Sequence, residues 1–458
     1  MTSVHTPETS GELSAVAPLS AHQQFLFMFD QGEEAGPFGP RYHIGAGWRV
    51  RGTVDVAKLQ AALDGLVVRH EALRTVIVRD TEQLHQRICP PGRVRLDVLD
   101  RPEPQESLRE LRAQWALNEV EAGPFSVRDL PLLRAALIRF APDDAVLVLQ
   151  AHHSAADAWS LQTLMRDVAN LYAAASGFDV PELPEVAQYA EFARLQQELV
   201  AEDAKREYWK STLDGAQLLA LPTDWPRSAG LPKASSWHRF TLTAETTASV
   251  LTLARQTRST PFIVLLAAYS AVVQRGYGQD DITVPTFSLG RGPQRFHESV
   301  GSFFNCLPLR VRLAGCASFR EAILRARAAC LGAYKHELLF GQVMQDIPEV
   351  AGLMARDDLT LFVFQVERTL FSATGTTVGD LTFTEIRRNV SAPAGGDVPD
   401  GALWTLSVAA GGDTVGSLAV NSNRYDSVTA GAMVTDFCRT VTALVADPDA
   451  ALPGFAGG

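Results

Sequence analysis

The stretch Gln150-Ala-His-His-Ser-Ala-Ala-Asp-Ala-Trp-Ser160 carries two adjacent histidines and, four residues after the second, an aspartate. An imidazole titrates near neutrality and can take a proton from a hydroxyl or an amine. Asp157 can fix a turn by pairing with a distant cation. Paired histidines after a strand can equally be structural, and the residues alone leave both readings open. His152 and His153 are adjacent and no third ligand follows at a usual spacing, so no metal site is expected. Neither a GxxxxGK[ST] nor a GxGxxG occurs, which argues against a nucleotide.

The elements around this segment read as follows. Ala145–Ala151 is a Val- and Leu-rich run expected as a buried strand, and Leu161, Leu164, Met165, Val168, Leu171 and Tyr172 fit a helix that stops near Gly177. The reactive residues therefore sit on a strand-to-helix loop, a common place for chemistry. Upstream, Val56, Leu59, Leu63, Leu66 and Val67 repeat at helical spacing behind Asp55, a plausible N-cap. A long helical pattern runs from about 186 to 213. Three prolines within 221–232 mark that stretch as the best linker. Helices are expected over 244–257 and 260–275. Strands are expected at 282–287, 307–313, 359–366 and 403–409. Glycine-rich pieces at 395–401 and 411–416 read as loops, and residues 1–17 as a loose leader. The picture is two αβ halves.

Composition narrows the function. The chain has 458 residues, long enough for two or three domains. With 46% hydrophobic and 20% charged residues, a large core is available and global disorder is excluded. A net charge of -11 argues against nucleic acid as a partner. The five cysteines are scattered without a CxxC pair, which excludes a disulfide framework and fits a reducing compartment. The Cys306 thiol has no neighbour that would lower its pKa, so it is not expected as a nucleophile. The N-terminus lacks a basic start and an apolar run, and apolar stretches such as 262–273 fall short of a membrane span. A cytoplasmic protein with no membrane partner is expected.

The His-His-x-x-x-Asp segment resembles the HHxxxDG motif that nonribosomal peptide synthetase condensation domains share with chloramphenicol acetyltransferase. Other pieces resemble the same family in the same order. These are Leu19-Ser-Ala-His-Gln-Gln-Phe-Leu-Phe27, Arg69-His-Glu-Ala-Leu-Arg-Thr75, Pro131-Leu-Leu-Arg134, Gln188-Tyr-Ala-Glu-Phe192, Leu289-Gly-Arg-Gly292 and Val300-Gly-Ser-Phe-Phe-Asn-Cys-Leu-Pro-Leu-Arg310. The likeness spans about residues 18–445. It implies an α/β (α+β two-layer) fold of two acetyltransferase-like subdomains set in a V, with the active site in the cleft. The halves are expected at 18–180 and 233–450, joined by a helix and proline-rich linker over 181–232.

The resemblance also implies roles. His153 is the expected catalytic residue and His152 supports it. Asp157 is expected to be structural, pairing with Arg291. Ser160 begins the helix as a packing or capping residue and is also a candidate substrate contact. Asn305 is open between a cleft contact and a turn role. Arg69, His70, Glu71 and Arg74 are expected to be structural. One departure is Ala158, which stands where the motif has glycine. If that position needs a positive φ, alanine there costs roughly 1 kcal/mol. Cys306 replaces a threonine.

The implied activity joins an acyl or aminoacyl thioester to an amine or alcohol, forming an amide or ester. No cofactor of its own is implied. The donor carries the 4'-phosphopantetheine of a partner carrier protein. No carrier or adenylation segment follows, so a free-standing enzyme meeting an acyl or peptidyl carrier in trans is expected. The acceptor is a small molecule or a second carrier-bound group. The aspartate-rich motif of heterocyclising relatives and the EGHGR-like segment of epimerising ones are absent. Two alternatives remain: a non-catalytic module that recruits a tailoring enzyme, against which the intact His-His pair argues, and an acyltransferase using coenzyme A.

Overall fold

The structure is a computed structural model that describes residues 15–198, 202–367, 375–392, 398, 401–409 and 411–452. The first half contains β1 (Ala15–Pro18), α1 (Ala21–Phe27), β2 (His43–Arg51), α2 (Val56–Arg69), β3 (Thr75–Val78), β4 (His85–Ile88), β5 (Arg95–Asp100), α3 (Glu106–Ala122), β6 (Leu133–Ala141), β7 (Asp144–His152), α4 (Ala158–Ala175) and α5 (Tyr189–Glu198). The second contains α6 (Asp203–Leu213), β8 (Ala220–Pro222), β9 (Ser235–Leu242), α7 (Ala244–Gln256), α8 (Pro261–Tyr277), β10 (Asp281–Ser288), β11 (Asn305–Arg312), α9 (Phe319–Lys335), α10 (Phe340–Asp346), β12 (Leu359–Glu367), β13 (Thr376–Val378), β14 (Leu381–Glu385), β15 (Gly401–Val408), β16 (Thr414–Asn421) and α11 (Ser427–Ala446).

All nine residues of β7 are buried. Successive side chains of a strand point to opposite faces, so an uninterrupted apolar run belongs to a strand covered on both sides. Leu147 and Leu149 join the core under α2 and α4, while Val146 and Val148 pack with Ala113 and Leu117 of α3. The sheet order around it is β13-β14-β2-β7-β6-β5. β2 and β6 flank β7 antiparallel, and β5 runs parallel to β6.

The second half is built on a sheet of order β8-β12-β15-β16-β9. Its core helix, α8, starts with Thr260 as N-cap and Pro261 at the first turn, and ends on Gly278 in the left-handed region. Phe362 and Phe364 of β12 and Trp404 and Leu406 of β15 face this core. The alternate residues Leu361, Val363, Gln365 and Glu367 line a cleft between the halves. Helix α11 is long and apolar enough, by length and composition, to cross a membrane. Its Phe437, Val441 and Leu444 are buried in the second core.

Several expectations shift. Residues 1–14 of the expected leader lie outside the described residues, but Ala15–Pro18 is a strand paired with β4. The long helix expected over 186–213 is two helices, α5 and α6. Tyr189 and Phe192 of α5 sit in the first core, and Trp209 and Leu213 of α6 in the second, so the chain changes halves between them. The proline-rich 221–232 stretch is therefore not the linker. It is tied into the second half by Asp224 N–H to Arg424 O (3.0 Å) and Arg227 N–H to Asp357 O (3.0 Å). Residues 411–416 begin as a turn, but Thr414 already opens β16.

The boundary at 233 also fails to separate the sheets. Strand β14, from the second half, pairs antiparallel with β2 of the first, Phe383 opposite Val50. Leu381 and Phe383 complete the first core, as do Phe296, Val300 and Phe303. Apolar faces of second-half segments thus bury against first-half helices, a long-range relation with no local sequence signal.

Candidate active site in the cleft

His153, on the loop after β7, is held by four contacts. Its N–H donates to Tyr42 O at 2.9 Å. Its ring stacks on Tyr42 (centroids 5.0 Å apart) and lies tilted against Phe304 at 5.4 Å. Nδ1 lies 2.8 Å from the carbonyl oxygen of Ala156. A carbonyl only accepts, so Nδ1 carries the hydrogen and Nε2 keeps its lone pair. Nε2 makes no hydrogen bond among the described residues, and the ring lines the cleft. Burial pushes the imidazole below its ordinary value, and the nearby Ala156 carbonyl and Asp157 only partly oppose this. The neutral, proton-accepting form is therefore the resting one.

His152 points to the opposite face of β7 and is fully buried. Its Nδ1 accepts from the Ser154 hydroxyl at 2.8 Å, and burial pushes its pKa down to about 3. It braces the loop and does not line the cleft.

Asp157 caps α4 by accepting from Ser160 N–H at 2.8 Å. Its carboxylate is bidentate with Arg291, at 2.6 and 2.8 Å. It also accepts from Phe303 N–H at 3.3 Å. Burial alone would raise this carboxyl, but the Arg291 charge and the hydrogen bonds hold it below the usual carboxylate range. Gly290 is what lets Arg291 arrive there. Its φ is +62°, and a Cβ would lie 1.7 Å from Phe303 O.

Ser160, a candidate substrate contact by sequence, is fully buried. Its hydroxyl lies 2.7 Å from Asp157 Oδ1 and accepts from Gly301 N–H at 3.1 Å, inside the Asp157–Arg291 cluster. It is a positioning residue. Asn305 lines the cleft, but its polar atoms hold the turn before α10. Nδ2 donates to Leu338 O at 2.8 Å and Oδ1 accepts from Phe340 N–H at 3.0 Å. Ala158 is the first residue of α4 and exposes its methyl to the cleft. Among the described non-glycine residues only Arg258 has a positive φ, so alanine at 158 carries no backbone strain. Burial pushes the Cys306 thiol up to about 12, which disfavours a thiolate. Arg69 and His70 both bind Asp167 at 2.9 Å, a structural cluster.

Sequence reasoning misses His22. It lies inside the first motif, lines the cleft, and sits 3.6 Å from Phe304 between ring centroids. Burial, and then the charge of a protonated His153, lower its pKa to about 3. The cleft encloses about 2040 Å³. A single small ligand needs roughly 300–1,000 Å³, so this space admits two substrates at once.

This two-halved fold, with a histidine on a strand-to-helix loop at the cleft, has the layout of a condensation domain. The condensation domain family model matches residues 14–452, and the chain belongs to that family. The chain is 34% identical over 336 residues to malpinin synthetase of Mortierella alpina, covering 72% of this chain and 4% of that protein. It is 30% identical over 458 residues to chondramide synthase cmdD of Chondromyces crocatus, covering 98% of this chain and 11% of that one. The chain thus spans only a small part of these relatives. The SgcC5 protein from Streptomyces globisporus superposes with a TM-score of 0.91 at 46% identity, over 95% of this chain and 100% of that one. The X-domain from teicoplanin biosynthesis, at a TM-score of 0.73 and 21% identity over 100% of this chain and 99% of that one, shares the fold.

Proposed function

We propose that this protein is a free-standing cytoplasmic condensation enzyme, using no cofactor of its own. It transfers an acyl or aminoacyl group from the phosphopantetheine thioester of a carrier protein, met in trans, to an alcohol or amine. The observation that carries this reading is the Nε2 of His153, which makes no hydrogen bond among the described residues, at a cleft large enough for two substrates. The free-standing reading is supported by SgcC5, whose solved chain is matched over its whole length. The alcohol reading is supported by that protein's complex with (R)-(-)-1-(2-naphthyl)-1,2-ethanediol, an aryl vicinal diol.

In the proposed step, His153 Nε2 takes the proton of the acceptor hydroxyl as its oxygen attacks the thioester carbonyl. The C–O bond forms, the C–S bond breaks, and the imidazolium returns the proton to the departing thiolate. The products are an ester and the free carrier thiol. Asp157 and Arg291 fix the loop and do not touch the reacting atoms.

The test offers acyl-carrier and acyl-coenzyme A donors with aryl vicinal diols and matched amines, and identifies products by mass. Ester from the carrier donor is expected. Amide alone would overturn the alcohol assignment. Equal use of coenzyme A thioesters would make the protein a general acyltransferase. No product from any pair, with binding of a tailoring enzyme, would make it a recruiting module.

A further inference from the structure

Helix α1 starts on a capping box. The Ser20 hydroxyl accepts from Gln23 N–H at 3.0 Å, and Gln23 Oε1 accepts from Ser20 N–H at 2.8 Å. Both residues are tied further: Ser20 Oγ lies 2.7 Å from the Tyr189 hydroxyl, and Gln23 Nε2 donates to Gln86 Oε1 at 3.1 Å. His22 stands between them, so its place is fixed from several elements. It is 7% exposed and lines the cleft. Its Nε2 is buried and has no hydrogen-bond partner among the described residues. Buried polar atoms are almost always paired, and one left over in a cleft wall points to a ligand.

His22 and His153 pack on one ring. Phe304 lies 3.6 Å from His22 and 5.4 Å from His153 between centroids. The two imidazoles are therefore no further apart than these spans laid end to end. Burial holds His22 neutral, and a charge on His153 lowers it further, with Asp157 opposing. His22 thus stays a neutral hydrogen-bonding group when His153 takes up a proton. The flanks are aromatic: Phe25 lies 6.4 Å from His22 and Phe287 lies 4.9 Å from Phe304, and both line the cleft.

A nitrogen of a neutral imidazole is a donor or an acceptor, depending on the tautomer. A hydroxyl is both, so it satisfies Nε2 in either form, whereas an ammonium or a carbonyl satisfies only one. Two hydrogen bonds of about 2.8 Å each, joined through adjacent carbons, bridge a gap of this size. We propose that His22 binds the second hydroxyl of a vicinal diol acceptor, the one that is not acylated, while His153 Nε2 faces the first. His22 touches no bond that forms or breaks. It is a specificity residue that selects diols over mono-alcohols and, by holding one oxygen, sets which of the two attacks. The flanking phenylalanines take the aryl body. The assignment deepens the condensation reading above and rests on it.

The first test is calorimetric titration of the full chain with 1-phenyl-1,2-ethanediol and with the mono-alcohols 1-phenylethanol and 2-phenylethanol. The wild type should bind the diol roughly tenfold more tightly than either. His22→Phe keeps a ring, removes both nitrogens, and should lose most of that preference while the melting temperature shows a folded protein. His22→Leu takes its place if the phenylalanine variant does not fold. His22→Asn, whose amide both donates and accepts, should recover part of the preference. Equal affinity for the three alcohols, no binding of any of them, or a preference kept without the imidazole overturns the proposal. The second test follows acylation of the diol from a carrier thioester. His22→Phe should raise KM for the diol more than for 2-phenylethanol and shift the ratio of the two monoesters. An unchanged KM and an unchanged ratio overturn the hydroxyl contact and reduce His22 to packing. A wild type that prefers the diol in titration yet acylates no alcohol overturns the condensation reading and leaves the hydroxyl contact standing.

Discussion

Nδ1 of His153 and the carbonyl oxygen of Ala156 are 2.8 Å apart, three residues from each other on one loop. This contact chooses the tautomer, so the same turn that presents the imidazole also sets which nitrogen can accept a proton. His153→Ala should lower single-turnover rates by about 10²–10⁴. The loss should be larger for an alcohol than for an amine, because a neutral amine attacks a thioester without prior deprotonation. Carrier affinity should not change. Near-wild-type rates with every competent acceptor would remove His153 from the chemistry.

Asp157 and Arg291 are both buried, and two N–H groups of the guanidinium donate to the carboxylate. Removing one partner leaves an uncompensated charge, which costs about 3–5 kcal/mol. Urea denaturation of Asp157→Ala, Arg291→Ala and the double variant should show a double loss well below the sum of the singles. Additive losses would mean that the pair does not act as a unit.

Gly290 and Gly292 flank the same arginine but differ in kind. Gly290→Ala forces a methyl against Phe303 O in a left-handed backbone and should cost more than about 1 kcal/mol, with activity falling as Arg291 is displaced. Gly292→Ala meets nothing within 4 Å and should melt near the wild type. Equal behaviour of the two would contradict the packing described here.

Acid should unfold the protein early. Burial holds His22 and His152 at about 3 and His43 at about 4, against 6.5 when unfolded. Between those limits the unfolded chain binds more protons, so stability is lost as pH falls below about 6.5. Each such proton contributes roughly 1.4 kcal/mol per pH unit. Glu367 works the other way. Raised to about 7, it costs stability as pH rises from about 4.5 through 7. The three histidines should outweigh it, and His22→Gln should flatten the acid limb of a melting-temperature profile. An unchanged limb would count against a neutral buried His22.

Ala158 exposes its methyl to the cleft with an ordinary backbone. Ala158→Gly should therefore change stability by no more than about 1 kcal/mol. Ala158→Leu should leave folding intact and raise KM for bulky acceptors. A large melting-temperature loss in Ala158→Leu would show that the site is packed and not open.

Local patterns make much of this legible. The apolar run at 145–151 points to a central strand because burial on both faces leaves no alternation. The helix expected over 260–275 is α8, which the structure caps with Thr260 and Gly278. The Asp157–Arg291 geometry agrees with what the motif resemblance implies. Ser160 misleads because a hydroxyl one turn after a cap looks the same whether it faces solvent or a buried carboxylate. His22 escapes sequence reading for a related reason. Its ring meets Phe304, far along the chain, and one sequence carries no trace of that pairing. The second half's contribution of β14 to the first sheet is hidden in the same way.

That shared strand bears on how such proteins can be recombined. Residues 381–385 are encoded after the chain has left the first sheet, yet hydrogen-bond to its β2 edge. A chimera cut once at the crossing between α5 and α6 would lay a foreign strand along Trp48–Arg51 and a foreign Phe383 into a core evolved around another. The inheritable unit is therefore discontinuous. A graft that keeps the donor parent's first half must carry residues 376–385 with it, as a second, separate insert.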